Sequence, residues 1–220
     1  MVIGCDGATR KAMTGEGPLI EPQTTPPDVV CRHWPDQASP WVCRFATLVR
    51  AGGPVLDVAC GQGRNARHLH RLGHPVVLVD INVAGVADLA SHADAEVIAA
   101  DLEDGSAWPL DGRCFAAIVV TNYLHRPLFP DLLAALEPGG VLFYETFARG
   151  HERRARPRNP AHLLERGELL DLVRGRLSVI AFEEGVIEDD PFAGIKQRLC
   201  AVNDFAGAPA RPVPLAGRGA

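Results

Sequence analysis

The 220-residue chain contains no apolar stretch approaching the roughly 18 residues that cross a bilayer, so no membrane-spanning helix is expected. Its first residues carry charges but no apolar core, which excludes reading them as a secretory signal. Six cysteines are present (Cys5, Cys31, Cys43, Cys60, Cys114, Cys200), but none forms a C-x-x-C pair or another zinc-ligand spacing. Cys60 and Cys114 sit in or beside apolar runs, and all six are read as reduced thiols of a cytoplasmic protein. There is no excess of positive charge: 22 Lys and Arg face 27 Asp and Glu, for a net charge of -5. That balance argues against a general nucleic-acid binder, which would need a basic face. His68 and His70 are two positions apart on one expected helix, so they point to different faces and cannot share an ion; no metal site is expected. What remains is ordinary for one domain with a real core, 47% hydrophobic and 22% charged.

Residues 1–30 show no periodicity, end in Thr24-Thr25-Pro26-Pro27, and read as a disordered extension. The tail over 204–220, rich in Ala, Gly and Pro, reads as flexible. Between them, Ser39-Pro40-Trp41 is a capped helix start, and Trp41, Phe45, Leu48 and Val49 recur at helical spacing until Gly52-Gly53-Pro54. The chain then alternates. Strands are expected at Val55–Ala59, Pro75–Asp80, Glu96–Asp101, Phe115–Thr121 and Val141–Thr146. Helices are expected at Arg64–Leu72, Val83–His92 and Pro127–Leu136. Short continuous runs of Val, Ile and Leu fit strands buried on both faces, and their alternation with helices predicts a doubly wound α/β sheet. Leu177–Ile187 and Ile195–Val202 lie too close for a crossover and are expected as an antiparallel hairpin closing a mostly parallel, seven-stranded, Rossmann-like sheet.

Chemistry concentrates at strand ends. Val55-Leu56-Asp57-Val58-Ala59-Cys60-Gly61-Gln62-Gly63-Arg64-Asn65 reads as strand, glycine turn and helix, where backbone approaches a ligand closely. Asp57 is the unusual member: a carboxylate on the first strand repels a pyrophosphate and attracts an ammonium or sulfonium. Asp80, 17 positions after Gly63 and followed by Ile81, can accept hydrogen bonds from both hydroxyls of a ribose. Asp101 with Leu102 can meet an adenine amino group and ring face. Thr121, Asn122, Tyr123 and His125 follow the fourth strand, where open α/β sheets bind ligands. His125 is the first candidate for a general base, and Tyr123 reads equally as pocket wall or catalyst. Glu145 lies in an apolar run and needs a partner: either a substrate cation or a buried structural pair. Arg149–Arg158 holds five arginines in ten residues, read as a solvated loop, a flap attracting an anionic substrate, or, more weakly, a nucleic-acid contact.

Together Asp57-x-Ala59-Cys60-Gly61-x-Gly63, Asp80, Asp101-Leu102 and the Glu137-Pro138-Gly139-Gly140 turn resemble the class I S-adenosylmethionine-dependent methyltransferases over residues 36–203. The segments 122–130 and 144–150 look like an uncharacterised bacterial branch, distantly similar to the tellurite-resistance methyltransferases. The resemblance implies S-adenosylmethionine as cofactor and methyl transfer to an acceptor. It implies Asp57 near the methionine ammonium, and Ala59, Cys60, Gly61, Gly63 and Asn65 around the cofactor. Asp80 and Ile81 then meet the ribose side, Asp101 and Leu102 the adenine, and Thr121 and Asn122 the methionine end. His125, Tyr123 and Glu145 are the catalytic candidates. Ala59 stands where the family has a glycine, which is tolerable if its φ is negative. No Asn/Asp-Pro-Pro-Tyr/Phe motif follows the fourth strand, so methylation of nucleic-acid bases is disfavoured and a small-molecule acceptor is expected.

Two alternatives remain. Gly61-x-Gly63-x-x-Ala66 with Asp80 also satisfies a permissive dinucleotide fingerprint, hence an NAD(P)-dependent oxidoreductase. A catalytically inactive S-adenosylmethionine-binding module is the other. Oligomeric state is not legible.

Overall fold

A seven-stranded sheet forms the centre of the computed structural model, which describes residues 37–188 and 192–204. The expected disordered extension, Cys5, Cys31 and the tail beyond Asp204 lie outside the described residues. The strands are β1 (Val55–Val58), β2 (Val76–Asp80), β3 (Ala95–Ala99), β4 (Phe115–Thr121), β5 (Leu136–Phe147), β6 (Ser178–Ile187) and β7 (Gly194–Val202). Their spatial order is β3-β2-β1-β4-β5-β7-β6. The first five pair in parallel, while β7 runs antiparallel to both β5 and β6. The expected closing hairpin is thus present. Strand order reverses between β1 and β4, and the carboxyl ends on either side of that switch point frame a crevice.

The register explains the uninterrupted apolar runs. Along β4, Ile118 and Val120 point into one core with Leu56, Val58, Leu142 and Tyr144, whereas Ala117 and Val119 point into another with Val55, Leu78, Phe143 and Trp41. Alternate side chains face opposite sides, and helices or loops cover both, so polar positions are nearly absent from the central strands.

Among the described residues, the α-helices are short: α1 (Pro40–Phe45), α2 (Arg64–Arg71), α3 (Phe129–Ala134) and α4 (Glu168–Val173). Ser39 caps α1 as expected, its Oγ accepting the Trp41 N–H at 3.1 Å. The α1 stripe then tightens into a 3-10 turn at Ala46–Leu48 rather than continuing to Val49. The helix expected over Val83–His92 is instead two 3-10 turns, Ala84–Val86 and Leu89–Ser91. Gly85 interrupts that stretch, at a helix-propensity cost of about 1 kcal/mol relative to Ala. The Gln62 side chain fills the space a Cβ at Gly85 would need. The helix expected over Pro127–Leu136 likewise divides into a 3-10 turn, Arg126–Leu128, and α3, whose first turn tolerates Pro130.

One further expectation fails. Cys43 is disulfide-bonded, whereas Cys60, Cys114 and Cys200 are free. Linear spacing excludes a compact cysteine motif but says nothing of cysteines brought together by the fold. No helix among the described residues is long and apolar enough to cross a membrane.

Gly63 and Gly61 separate backbone need from space. Both have positive φ, but a Cβ at Gly63 would stand 2.7 Å from Val86 Cγ1, while one at Gly61 meets nothing within 4 Å. Gly61→Ala should cost about 1 kcal/mol of stability, from the backbone alone. Gly63→Ala should cost about 2–4 kcal/mol because overpacking adds to the same strain. Urea unfolding of the two variants checks the difference.

Candidate functional site

The turn between β1 and α2 begins with a buried carboxylate. Asp57 is 2% exposed, and its Oδ2 accepts the Ala66 N–H at 3.0 Å, near the start of α2. Burial pushes its carboxyl up to about 7. The Ala66 bond and the Arg64 charge oppose that rise, and Asp80 adds to it. The Asp57–Ala66 bond spans nine residues and pulls the intervening chain into a tight reversal. Within it Ala59, Gly61 and Gly63 take positive φ of 51°, 55° and 68°. Ala59 therefore departs from the negative φ under which its substitution was tolerable. It adopts the backbone of the glycine it replaces, at about 1 kcal/mol of strain.

Asp80 closes the turn from β2. Its Oδ2 accepts the Gly61 N–H at 2.8 Å and its Oδ1 the Asn82 N–H at 2.9 Å, leaving lone pairs on both oxygens. Beside it opens a cleft of about 430 Å³, lined by Ala59, Asp80, Ile81, Ala100, Asp101, Leu102, Glu103 and Tyr123. Five of the expected cofactor residues and one catalytic candidate thus share one cavity. Its wall holds three carboxylates and no basic side chain. Ile81 is 69% exposed beside it, an apolar surface of the size a planar ring covers. Leu102 packs its other side on the core, and Asp101 Oδ1 fixes the bend by accepting the Glu103 N–H at 2.9 Å. Cys60 is buried, and burial with the Asp57 and Asp80 carboxylates pushes its thiol far above the ordinary range, so it is no nucleophile.

The end of β4 supplies the second half. Asn122 adopts a positive φ of 58°, rare for a non-glycine residue, and its N–H donates to the Glu145 carbonyl at 2.7 Å. Its side-chain Oδ1 is buried and accepts no hydrogen bond from the described residues. Strain and an unsatisfied acceptor at one residue mark a position shaped for something other than stability. Thr121 Oγ1 accepts from Asn65 Nδ2 at 3.0 Å, and Asn65 Oδ1 accepts the Ser39 N–H at 2.9 Å. Ser39 Oγ in turn donates to Glu145 Oε2 at 3.2 Å.

Glu145 continues this chain inward. It is 1% exposed, with Lys196 Nζ 3.4 Å and Arg198 Nη1 3.9 Å from its carboxylate. Of the two roles left open by the sequence, the geometry is that of the buried pair. Tyr123 contributes a buried hydroxyl with no well-formed hydrogen bond. Burial, then the nearby Glu103 carboxylate, pushes its phenol well above the ordinary range, so the hydroxyl faces the cleft protonated, as a donor. His125 is partly exposed, its Nδ1 3.9 Å from Glu103 Oε2, within reach of an ion pair but beyond a hydrogen bond.

Sequence reading missed Glu103, Lys196 and Arg198. Glu103 directly follows Asp101-Leu102. Lys196 and Arg198 interrupt an apolar run, the same signal that singled out Glu145. His70, His92 and Asp94 also come together, one ligand atom of each within 4.8 Å of the others. Ligands of one transition-metal ion lie roughly 3–3.5 Å apart at bonds of about 2.1 Å. Here the His70–Asp94 contact of 2.9 Å instead ties the last turn of α2 to the start of β3, at the sheet end opposite the cleft.

With this geometry in view, residues 55–140 match the family model described as a methyltransferase domain. Over that stretch the chain is similar to methyltransferase domains. Over 109 residues it is 32% identical to the phthiotriol/phenolphthiotriol dimycocerosates methyltransferase of Mycobacterium leprae, covering 46% of this chain and 40% of that protein. The match thus spans less than half the length of that curated relative. Among solved structures, TehB from Haemophilus influenzae superposes with a TM-score of 0.59 at 18% identity, covering 74% of this chain and 61% of that one. The Burkholderia thailandensis 1,6-didemethyltoxoflavin-N1-methyltransferase, solved with its namesake compound and S-adenosylhomocysteine, superposes at 0.54 with 20% identity, over 74% and 76%. At these identities the likeness is one of fold. In this fold, the cleft lies at the carboxyl edge of the parallel strands.

The Glu145–Lys196 pair yields a stability test. Lys196→Met leaves a buried carboxylate short of a partner and should cost about 3 kcal/mol, the lower end for a broken buried pair because Ser39 and Arg198 remain. The double variant Glu145→Gln/Lys196→Met should recover part of that loss in urea unfolding.

Proposed function

We propose that this chain binds S-adenosylmethionine in the cleft beside Asp80 and catalyses transfer of its methyl group to a small-molecule acceptor. The observation that carries this reading is the charge of the cleft: Asp80, Asp101 and Glu103 line it with no Lys or Arg, and Asp57 lies buried behind the turn. A dinucleotide brings a pyrophosphate of about two negative charges to this turn, against those carboxylates, where the Arg64 guanidinium already answers Asp57. A ligand with an ammonium and a sulfonium gains from the same field. The residues fit such a ligand throughout. Asp80 keeps lone pairs for ribose hydroxyls, Ile81 and Leu102 offer apolar surface to a purine, and Asp101 accepts from its amino group. Asn122 Oδ1 is an acceptor for the methionine end or for the incoming substrate. Thr121 and Asn65 hold that end of β4 in place, and Glu145 supports them from beneath as a positioning group.

Bound there, the cofactor supplies an activated methyl carbon. That carbon would be passed to an acceptor lone pair, with the C–S bonding pair left on the sulfur of S-adenosylhomocysteine. Such a transfer depends on alignment and exclusion of water more than on acid–base power. Asn122 and Tyr123 orient groups at the cleft, and His125, beside Glu103, takes the proton when the acceptor is a hydroxyl or ammonium. Membership of the same fold by small-molecule methyltransferases supports a small acceptor.

Asp80→Ala should weaken S-adenosylmethionine binding by about 1–3 kcal/mol in calorimetry, since ribose hydroxyls lose their acceptor. Unchanged affinity would overturn the assignment of the cleft. Asp57 adds a pH signature. Its folded pKa is raised from 3.8 to about 7, so the stability associated with its neutral form is present at low pH and lost as pH rises through about 7. A bound cation favours the ionised form. Affinity for S-adenosylmethionine should therefore increase from about pH 5.5 to about pH 7, by as much as roughly tenfold per unit. Asp57→Asn should flatten that dependence. His125→Ala should lower kcat for a hydroxyl acceptor most strongly at neutral pH, and full turnover at every pH would remove it as the base.

A further inference from the structure

Residues 149–163 leave the end of β5 and return to it. Ala148 bridges Leu164 in parallel, the Leu164 N–H donates to the Phe147 carbonyl at 3.0 Å, and the Arg149 N–H donates to the Leu164 carbonyl at 2.9 Å. The excursion is an Ω-shaped loop closed at its base. Two side chains hold it in shape. His151, 1% exposed, stacks on Phe147 with ring centroids 4.3 Å apart. Its Nε2–H donates to the Arg156 carbonyl at 2.8 Å, and its Nδ1 accepts the Ile195 N–H at 3.3 Å. Both ring nitrogens are thereby used by a neutral imidazole, and Gly194 leaves room for the ring, since a Cβ there would lie 2.6 Å from it. Arg126, three residues after Tyr123, reaches across to the far leg, donating to the carbonyls of Ala161 at 2.8 Å and Leu163 at 2.9 Å. Glu168 clamps the same guanidinium in a bidentate pair. The loop is therefore built onto the segment that carries Asn122, Tyr123 and His125.

What this scaffold presents is charge. Arg153, Arg154, Arg156 and Arg158 are all exposed, and none has an ion pair among the described residues; Arg149 alone is matched, by Glu165 at 3.3 Å. The one carboxylate in the loop, Glu152, accepts the Gly150 N–H at 2.7 Å, and its backbone hydrogen bonds, with the Arg149 and Arg153 charges, hold its carboxyl below the usual range. Arg156, Pro157, Arg158 and Asn159 border a concavity of about 600 Å³. In a chain of net charge -5, four exposed guanidinium groups, of which, among the described residues, only Arg153 has a carboxylate acting on it, are not a general solubility device. Guanidinium forks suit carboxylate, phosphate and sulfonate oxygens.

We propose that this loop is the subsite for an acidic group on the methyl acceptor, so that the substrate is an organic oxyanion held by Arg156 and Arg158 with Arg153 and Arg154 at the rim. The proposal rests on the methyl-transfer reading for the identity of the substrate, not for the anion site itself. The carboxyl edge of the sheet is then polar in charge: carboxylates around β2 and β3 receive a cation, and arginines after β5 receive an anion.

The test uses the full chain with S-adenosylhomocysteine and phenyl phosphate as the probe, with phenol as its uncharged counterpart. Binding of both probes is followed by ligand-observed NMR, and binding of S-adenosylhomocysteine by calorimetry on the same samples. Phenyl phosphate should bind at least tenfold more tightly than phenol. Arg156→Glu/Arg158→Glu should weaken it at least tenfold, and Arg153→Ala/Arg154→Ala less, with S-adenosylhomocysteine affinity within twofold of the parent in both. Equal binding of phenyl phosphate and phenol, no binding of phenyl phosphate, or indifference to both double variants would overturn the proposal. So would a single-stranded oligonucleotide that binds a hundredfold more tightly than phenyl phosphate, with a steep salt dependence lost in the same variants. Failure of S-adenosylhomocysteine to bind would strike the methyl-transfer reading alone, because the anion arm is read with or without it.

Discussion

The bond from the buried Asp57 carboxylate to the Ala66 amide constrains everything around it. It joins the first strand to the helix that follows and fixes the length of chain between them. That length can close only with left-handed backbone at Ala59, Gly61 and Gly63. The closed turn brings the Gly61 amide to Asp80, which aligns the carboxyl end of β2 with that of β1. Keeping a carboxylate out of water at this point raises its pKa to about 7 and costs free energy that a hydrophobic residue would not. Retaining it makes sense where a positive ligand restores the balance. Strain at Ala59 belongs to the same turn, a small penalty tolerated so that the turn closes over the buried carboxylate.

From this turn the edge of the sheet divides. On one side the cleft is acidic and partly apolar; on the other a loop pinned by His151 and Arg126 displays arginines. Between them lies the end of β4, with its strained Asn122 and unsatisfied Oδ1. Beneath it a hydrogen-bonded chain runs from Asn65 through Ser39 to Glu145 and on to the buried Lys196. These polar groups are shielded from water, so their mutual geometry is stiff, and a displaced member would leave another unsatisfied.

Much of this was legible in the sequence because it depends on local order. The five parallel strands announced themselves as short apolar runs, and the closing hairpin by the shortness of its connection. Asp57, Asp80, Asp101 and the two glycines were visible because polar or flexible residues stood where an apolar pattern broke. What stayed hidden depended on through-space neighbours. The 83–92 segment has helical spacing but meets Gly85 and the Gln62 side chain. The disulfide at Cys43 left no signal in the spacing of the cysteines. Glu145 was recognised as needing a partner, yet Lys196 and Arg198, about fifty residues away, could be matched to it only once β5 and β7 were known to be neighbours. The positive φ of Ala59 ran against the reasonable expectation for an alanine. It follows from closure of the Asp57–Ala66 bond, not from any local preference.

The central claim is that the acidic turn selects a cationic adenosyl ligand over a dinucleotide. It is tested most directly by titrating the same preparation with S-adenosylmethionine, S-adenosylhomocysteine and NADH and reading the thermal midpoint. The account predicts saturable stabilisation by the two adenosyl amino acids and none by NADH. Stabilisation by NADH alone would contradict it, whatever the fold family.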